Sequence, residues 1–417
     1  MDKRSFLIAG FSAFVQYYDY HLFGLLASKI SQEFIPSTNQ ATQLTYTYLI
    51  LAISFIAKPI GAIILGRIGD IKGRSNSFTI SLLGTAIASL IISLTPGYKL
   101  FGIFSIFILI IMRMITCAMI SPGVDGVRLY IYENIAKQRQ CFGVALSSIF
   151  MQMGSMIAAV SAAFFTLDIF PEFAWRGSFT LGALMGTILV LIKLKYNIAD
   201  IINIKTTKQY GKYSNASIVS IIGNHLKIFI LSAVICGSIG SMHQFLIIFF
   251  GTYNFAILKS LDQPTMQSYT AFAIAIYMIF SIISGLVGDI INRYQLVLWA
   301  IIALIIVNIY MMFWIKQHMQ LNIFIFFLSS AILAFITIPS AVIIKESIPI
   351  ETRYRIFSIA HAFGSILISA PTNFFAAKLY YTTQLTWAPI LYFIIINLIM
   401  FIAVKMLIST QAKLSKT

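Results

Sequence analysis

Long apolar stretches separated by short polar segments run the length of the chain. Runs such as FGIFSIFILIIM and LYFIIINLIMFIAV show no alternation of apolar and polar residues, so they predict helices and not the strands of a membrane barrel. A helix needs about 20 apolar residues to cross a bilayer. Stretches of suitable length lie near residues 6–30, 42–65, 76–95, 100–122, 142–167, 177–194, 228–252, 269–288, 296–315, 321–344, 356–378 and 387–408.

One long hydrophilic segment, YNIADIINIKTTKQYGKYSNAS, divides these stretches into two sets of six. It is rich in lysine, and we interpret residues 197–224 as a linker. The predicted domains are an N-terminal six-helix half over residues 1–196 and a C-terminal half over residues 225–417. The first stretch lacks the cleavage site of a secretory signal, so we expect it to remain as a helix. The predicted fold is all-α and integral to the membrane, with twelve transmembrane helices in two halves.

The composition agrees with a membrane protein, because 59% of the 417 residues are hydrophobic and only 10% are charged. A soluble domain has about 25% charged residues, so a soluble enzyme is excluded. The formal charge of +16 comes from short basic clusters in alternate loops, which is typical of cytoplasmic loops and not of a nucleic-acid-binding surface. Both termini and the linker are therefore expected in the cytoplasm. The three cysteines show no disulfide or metal spacing.

A loop motif occurs twice, as GRIGDIKGR after the second stretch and GLVGDIINR after the eighth. Asp70 and Asp289 lie 219 residues apart in these copies, and Glu133 and Glu346 form a second match 213 residues apart. Glycines allow helix ends to approach, and an aspartate can cap a helix or pair with an arginine. The alternative is an ordinary basic turn, but the repetition favours a cytoplasmic gate. The predicted gate residues are Gly66, Gly69, Asp70, Gly73, Arg74, Glu133, Arg139, Asp289, Arg293, Glu346 and Arg353.

Four sequence motifs resemble one family of transporters. The resemblance rests on two longer stretches and two short ones. The longer ones are QYYDY at residues 16–20, followed by FG, and FIAKPIG at residues 55–61, which leads into the loop motif. The short ones are the pair Trp175-Arg176, and Arg353-Tyr354 followed by Ser358. They resemble the major facilitator superfamily, and within it the metabolite:proton symporters, which include proline/betaine, alpha-ketoglutarate and citrate carriers. The chain departs from that group at Gln16, where the group has glutamate, and at Cys117, where it has glycine.

The resemblance implies a secondary active transporter of a bacterial inner membrane, working by alternating access and coupled to protons. A small polar metabolite is the expected substrate, with a zwitterion of the proline or betaine type as first choice. An organic anion such as a dicarboxylate, or export on the same fold, is the nearest alternative. A membrane sensor that binds without transport is the alternative from another class. We expect a monomer that meets substrate, protons and lipid but no nucleic acid.

Charged residues within the apolar stretches are costly in lipid and are therefore functional candidates. Asp19 lies mid-stretch among aromatic residues, where burial disfavours its charged form and suits a proton carrier. Arg113 needs a partner, which Asp19 or Asp125 could supply. We predict Asp19, Arg113 and Asp125 for proton coupling. The alternatives are structural ion pairs, including Asp125 with Arg128 three residues further along the helix.

Aromatic and amide side chains provide candidate contacts for a small zwitterion. Aromatic faces attract ammonium groups, and an arginine can hold a carboxylate through two hydrogen bonds. The predicted substrate contacts are Tyr17, Tyr18, Tyr20, Arg113, Gln152, His243 and Gln244. Packed polar core residues are the alternative for each. The sequence has no phosphate-binding loop, nucleophile elbow or zinc-binding histidine pair, so we expect neither an enzyme nor a cofactor, and uphill transport would run on an ion gradient.

Overall fold

The computed structural model describes residues 3–72, 74–195, 222–223, 225–349 and 353–414, without the side chains of some helical residues. Within these ranges the chain is helical and contains no strand. Helices of the first half are α1 (Lys3–Leu25, extended by Ala27–Phe34), α2 (Gln40–Ser54 and Ala57–Lys72), α3 (Arg74–Leu94), α4 (Ile103–Asn134), α5 (Gln140–Phe165) and α6 (Arg176–Lys195). Those of the second half are α7 (Leu226–His243, then two π-helical segments up to Ile257), α8 (Gln263–Ile290), α9 (Arg293–His318), α10 (Ile323–Ser347), α11 (Arg353–Gly364, a π-helical segment Ser365–Ser369, and Thr372–Thr383) and α12 (Ala388–Leu414).

Ten of these helices are long and apolar enough to cross a membrane, judged by length and composition over the described residues. The other two are α3, whose apolar part Thr79–Leu94 is shorter, and α1, whose apolar length is interrupted by polar residues such as Asp19. The order and positions of the helices confirm the predicted all-α membrane fold. Most of the predicted linker lies outside the described residues, so the exact domain boundaries remain a prediction.

Successive helices run in opposite directions, so the bundle has two ends. Helices α1 and α5 start at one of these ends, and α8 and α12 finish there. We call it the basic end, because the basic loop clusters lie there. The other end is called the opposite end. The prediction that the basic end faces the cytoplasm rests on the charge distribution of the loops.

Glycines bring helices into backbone contact at corresponding places in the two halves. A Cβ atom added at Gly154 in α5 would lie 2.1 Å from the Phe14 carbonyl oxygen in α1. A Cβ atom at Gly364 in α11 would lie 2.0 Å from the Ala233 carbonyl oxygen in α7. Small residues permit this close approach between membrane helices. The two glycines lie 210 residues apart and their carbonyl partners 219, close to the 219 and 213 residues that separate the repeated loop motifs, which agrees with duplicated halves.

A charged cluster ties three helices of the first half together at the opposite end. Arg176 forms an ion pair with Glu33, and its Nη1 atom donates hydrogen bonds to the carbonyl oxygens of Ser93 (2.9 Å) and Thr95 (2.5 Å). The indole nitrogen of Trp175 donates to the second oxygen of Glu33 at 3.1 Å. The Trp175-Arg176 pair therefore fastens α6 to the extension of α1 and to the end of α3.

Candidate functional site

A central cavity of about 120 Å³ lies between helices of the two halves. Its walls come from α1, α2, α4 and α5 on one side and from α7, α8, α10 and α11 on the other. The polar lining consists of Tyr17, Tyr20, His21, Lys58, Arg128, Ser147, Ser148, Gln152, His243, Gln244, Tyr277, Thr337, Lys345, His361, Ser365 and Ser369. A concave site with a few convergent polar groups between helices is the usual form of a small-molecule site.

Five of the predicted substrate contacts line this cavity. Gln244 begins a π-helical segment of α7 and donates to the Tyr20 hydroxyl at 3.1 Å, while its amide oxygen accepts from Asn373 at 3.0 Å. Gln152 lies 3.4 Å from Nδ1 of His243. Tyr17 is the fifth. The structure thus brings these side chains together from both halves, and their contact with substrate stays a prediction.

Tyr18 faces away from the cavity. Its hydroxyl donates to the Ser178 carbonyl oxygen at 2.7 Å and lies 2.8 Å from the Ser161 hydroxyl, between α5 and α6. Residues three and four apart share a helix face, so Tyr17, Tyr20 and His21 point together while Tyr18 points elsewhere. The structure therefore does not bring Tyr18 to the predicted substrate contacts.

Asp19 is also directed into the first half. It is 1% exposed, and its Oδ1 atom accepts a hydrogen bond from the Ser89 hydroxyl of α3 at 2.7 Å. A Cβ atom at Gly182 in α6 would lie 2.4 Å from the same oxygen, so α6 packs directly on the carboxyl group. The Oδ2 atom has no hydrogen-bond partner among the described residues. Asp19 is thus held by one donor, outside the cavity lining.

Arg113 binds α1 through the backbone and not through the Asp19 carboxylate. Its guanidinium donates to the carbonyl oxygens of Asp19 (3.3 Å) and Tyr20 (2.8 Å) and lies over the Phe23 ring, 5.1 Å from its centroid. Among the described carboxylates, none lies within ion-pair distance of it. The expected Asp19–Arg113 ion pair is therefore replaced by carbonyl contacts. Arg113 does not line the cavity, and the Asp125 side chain lies outside the described residues.

Three basic side chains line the cavity where sequence reasoning assigns no substrate contact. Lys58 in α2 is 6% exposed, with its ammonium 4.0 Å from the Phe55 ring centroid and 4.8 Å from that of Tyr20. Arg128 in α4 donates to the Tyr17 hydroxyl at 2.6 Å. Lys345 in α10 is fully buried. In the sequence, Lys58 and Lys345 are marked only by standing inside the otherwise apolar runs FIAKPIG and AVIIKES. The described part of the lining contains no carboxylate.

The second copy of the repeated loop motif lies against α5 at the basic end. The two oxygens of Asp289 accept hydrogen bonds from the backbone nitrogens of Cys141 (2.9 Å) and Phe142 (3.0 Å). Gly288 lets the helices approach, since an added Cβ atom would lie 3.1 Å from the Cys141 sulfur. Asp289 therefore joins the two halves by capping a helix.

The other predicted gate residues are distributed over several contacts. Arg293 forms an ion pair with Glu346 inside the second half. Arg353 donates to the Ile348 carbonyl oxygen at 3.2 Å, and Arg139 is exposed beside the start of α5. Gly73 lies outside the described residues, as do the side-chain surroundings of Gly66, Gly69, Asp70, Arg74 and Glu133.

Contacts between the halves also lie at the opposite end of the cavity. The Gln267 amide donates to the Leu25 carbonyl oxygen at 2.8 Å, and the rings of Tyr48 and Phe249 lie 6.2 Å apart. The two halves therefore meet on both sides of the cavity, at the basic end and at the opposite end.

The family model described as Major Facilitator Superfamily matches residues 9–370. The chain belongs to this superfamily. Membership confirms a multi-pass membrane transporter and not an enzyme, as predicted.

Individual relatives of this superfamily member are distant. A Haemophilus influenzae protein, provisionally named a metabolite transport protein, is 23% identical over 85% of this chain and 84% of its own length. A Staphylococcus haemolyticus protein, provisionally named a proline/betaine transporter, is 24% identical over 99% of this chain and 89% of its own. The citrate-proton symporter of Klebsiella pneumoniae is 26% identical over 44% of this chain and 42% of its own length. The crystal structure of a D-xylose-proton symporter superposes with a TM-score of 0.71 at 14% identity, covering 95% of this chain and 96% of that one, and supports the fold alone.

Proposed function

We propose that this chain is a proton-coupled symporter of a small organic anion, a carboxylate, in a bacterial inner membrane. The basic end faces the cytoplasm, and the two halves rock about the central cavity. The observation that carries this proposal is the set of three basic side chains, Lys58, Arg128 and Lys345, in the cavity lining. Ammonium and guanidinium groups bind carboxylates through charge-assisted hydrogen bonds, which are about twice as strong as neutral ones.

The aromatic faces favour an anion over the zwitterion expected from the resemblance. Cation–π binding of a substrate ammonium needs an accessible ring face. The Tyr20 ring already holds the Lys58 ammonium at 4.8 Å, and the Tyr17 ring holds the Arg128 guanidinium at 5.8 Å. At these two predicted substrate contacts, the protein's own cations thus take the place that a betaine or proline ammonium would use.

Proton coupling is proposed to use Asp19. Its carboxyl group is buried, accepts one hydrogen bond and leaves one oxygen for a proton. Arg113 links the neighbouring carbonyl oxygens to α4, so a change at Asp19 can reach helices that line the cavity. A single chain builds the whole cavity, which supports a monomeric transporter.

Uptake into proteoliposomes tests the proposal. Labelled 2-oxoglutarate, citrate, proline and betaine are offered with and without an inward proton gradient. We expect saturable uptake of an anion that the gradient drives above equilibrium. Uptake of proline or betaine alone would overturn the anion assignment, and gradient-independent uptake would overturn proton coupling. Binding without uptake would favour the sensor.

A further inference from the structure

The Tyr20 hydroxyl, in the cavity wall, accepts hydrogen bonds from two nitrogen atoms. Nε2 of Gln244, in the second half, donates to it at 3.1 Å, and the Lys58 ammonium donates to it at 3.5 Å. A tyrosine hydroxyl has one hydrogen of its own besides the lone pairs with which it accepts, and neither an ammonium nor an amide nitrogen can accept that hydrogen. The hydrogen of Tyr20 therefore goes to neither of these two nitrogen atoms.

Asn373 binds the amide oxygen of Gln244 and so determines which end of that amide faces Tyr20. Nδ2 of Asn373 donates to Oε1 of Gln244 at 3.0 Å. Asn373 is 1% exposed and does not belong to the cavity lining, and its Oδ1 atom has no hydrogen-bond partner among the described residues. Its side chain thus orients Gln244 without reaching the cavity itself.

These three residues come from both halves and lie beside irregular helical turns. Tyr20 belongs to α1, Gln244 begins the π-helical segment Gln244–Phe249 of α7, and Asn373 follows the π-helical segment Ser365–Ser369 of α11. Such segments occur frequently at functional sites. Within the described part of the chain, the Tyr20 hydroxyl donates to no other side chain or carbonyl group, so its hydrogen is open to an oxygen atom in the cavity.

We infer that the Tyr20 hydroxyl donates its hydrogen to a carboxylate oxygen of the substrate, and that Asn373 is the positioning residue that keeps this hydrogen available. This inference rests on the proposed function, because it needs a substrate that carries a carboxylate. Tyr20 thereby meets the substrate through its hydroxyl and not through the ring face that the sequence suggests. A charge-assisted hydrogen bond depends on geometry as well as charge, so it selects where the carboxylate lies.

Initial rates of uptake of labelled 2-oxoglutarate and citrate into proteoliposomes, over a range of concentrations, test the Tyr20 contact. Tyr20→Phe should raise KM about ten-fold, because it removes a hydrogen bond to a charged group, and should change the maximal rate much less. Tyr294→Phe is the matched control, since the Tyr294 hydroxyl donates to Gln411 within the second half, away from the cavity lining. A KM equal to that of the parent in Tyr20→Phe would overturn the inference.

A double-mutant cycle tests the part played by Asn373. Asn373→Leu removes the donor at similar volume, so that Oε1 of Gln244 is left to accept the Tyr20 hydrogen, and KM should rise several-fold. In the Tyr20→Phe background the same substitution should add nothing, because the hydrogen is already absent. Asn308→Leu, at a buried position of α9 outside the central cavity, should keep the parent KM. Asn373→Met, with a more adaptable side chain, takes its place if Asn373→Leu fails to fold.

The outcomes distinguish this inference from the proposed function. A rise of KM for Asn373→Leu that is equal in both backgrounds would show that Asn373 acts without Tyr20, and would contradict the inference alone. An unchanged KM in this variant would contradict it as well. Uptake of labelled proline or betaine in place of the two anions would contradict the proposed function, and the same variants would then test the inference on the carboxylate of that substrate. Uptake of none of the four compounds by the parent would rule out both.

Discussion

The carboxylate of Asp289, in the second half, caps helix α5 of the first half, with its Oδ1 atom 2.9 Å from the backbone nitrogen of Cys141. Helix α5 has Arg139 at its own N-cap position, and that side chain makes no capping hydrogen bond. The first backbone N–H groups of a helix lack internal partners and carry partial positive charge. The cap is therefore complete only while the halves are together at the basic end, which makes it sensitive to the transport cycle.

Asp289→Asn should slow turnover more than it weakens substrate binding. Loss of a charged cap costs about 1 kcal/mol, which corresponds to about a five-fold change in the balance between closed and open states. Transport rates and KM in proteoliposomes measure the two effects separately. The matched control is Asp262→Asn, because Asp262 is the residue that precedes α8 and caps that helix locally, by accepting from the Thr265 nitrogen at 3.1 Å. Equal losses of binding and turnover in Asp289→Asn would contradict a gating role.

Asp19→Asn should abolish accumulation against a gradient and leave substrate exchange partly intact. The amide keeps the size of the carboxyl group but carries no exchangeable charge, so net transport loses its coupling to protons. Counterflow and gradient-driven uptake are compared in the same vesicles. Asp168→Asn, at an exposed loop position, serves as the control. Undiminished accumulation in Asp19→Asn would remove this residue from the coupling mechanism.

Lys58→Gln should raise KM for an anionic substrate about ten-fold, since a hydrogen bond to a charged group is worth about 1.5–3 kcal/mol. The maximal rate should change less, because Lys58 lies in the cavity wall and not in the contacts at either end. Lys316→Gln changes the same charge at an exposed position of α9 and should leave KM unaltered. If both variants gave the parent KM, Lys58 would not contact the substrate.

Gly154→Ala and Gly364→Ala should each destabilise the protein by about 1–3 kcal/mol, the usual cost of overpacking. The new methyl groups would lie about 2 Å from carbonyl oxygens, so the helices must separate. The loss of stability is measured by heating the purified protein and recording the folded fraction at each temperature by size-exclusion chromatography. Gly251→Ala is the control, because its nearest atom, Oγ1 of Thr270, is at 3.4 Å. Stabilities equal to that of the control would show that the close approach is not required.

Most of the helices could be predicted from sequence because ten of them have enough apolar length to cross a membrane. The partners of buried charges could not be predicted in this way. The sequence predicts a carboxylate partner for Arg113, yet its two terminal nitrogens donate to the carbonyl oxygens of Asp19 and Tyr20. Helical spacing places Tyr17 and Tyr20 on one face, but which face meets the cavity depends on packing of α1 against α5 and α6. Lysines in apolar runs, such as Lys345, mark costly positions without indicating what they contact.

The glycine contacts of α1 with α5 and of α7 with α11 determine where the protein can diversify. An added methyl group at those glycines would force the helices apart, so substitution there is costly. The cavity lining, by contrast, borders open space, where side chains have room to vary. A lineage could therefore acquire a new solute by replacing cavity side chains while both bundles stay intact.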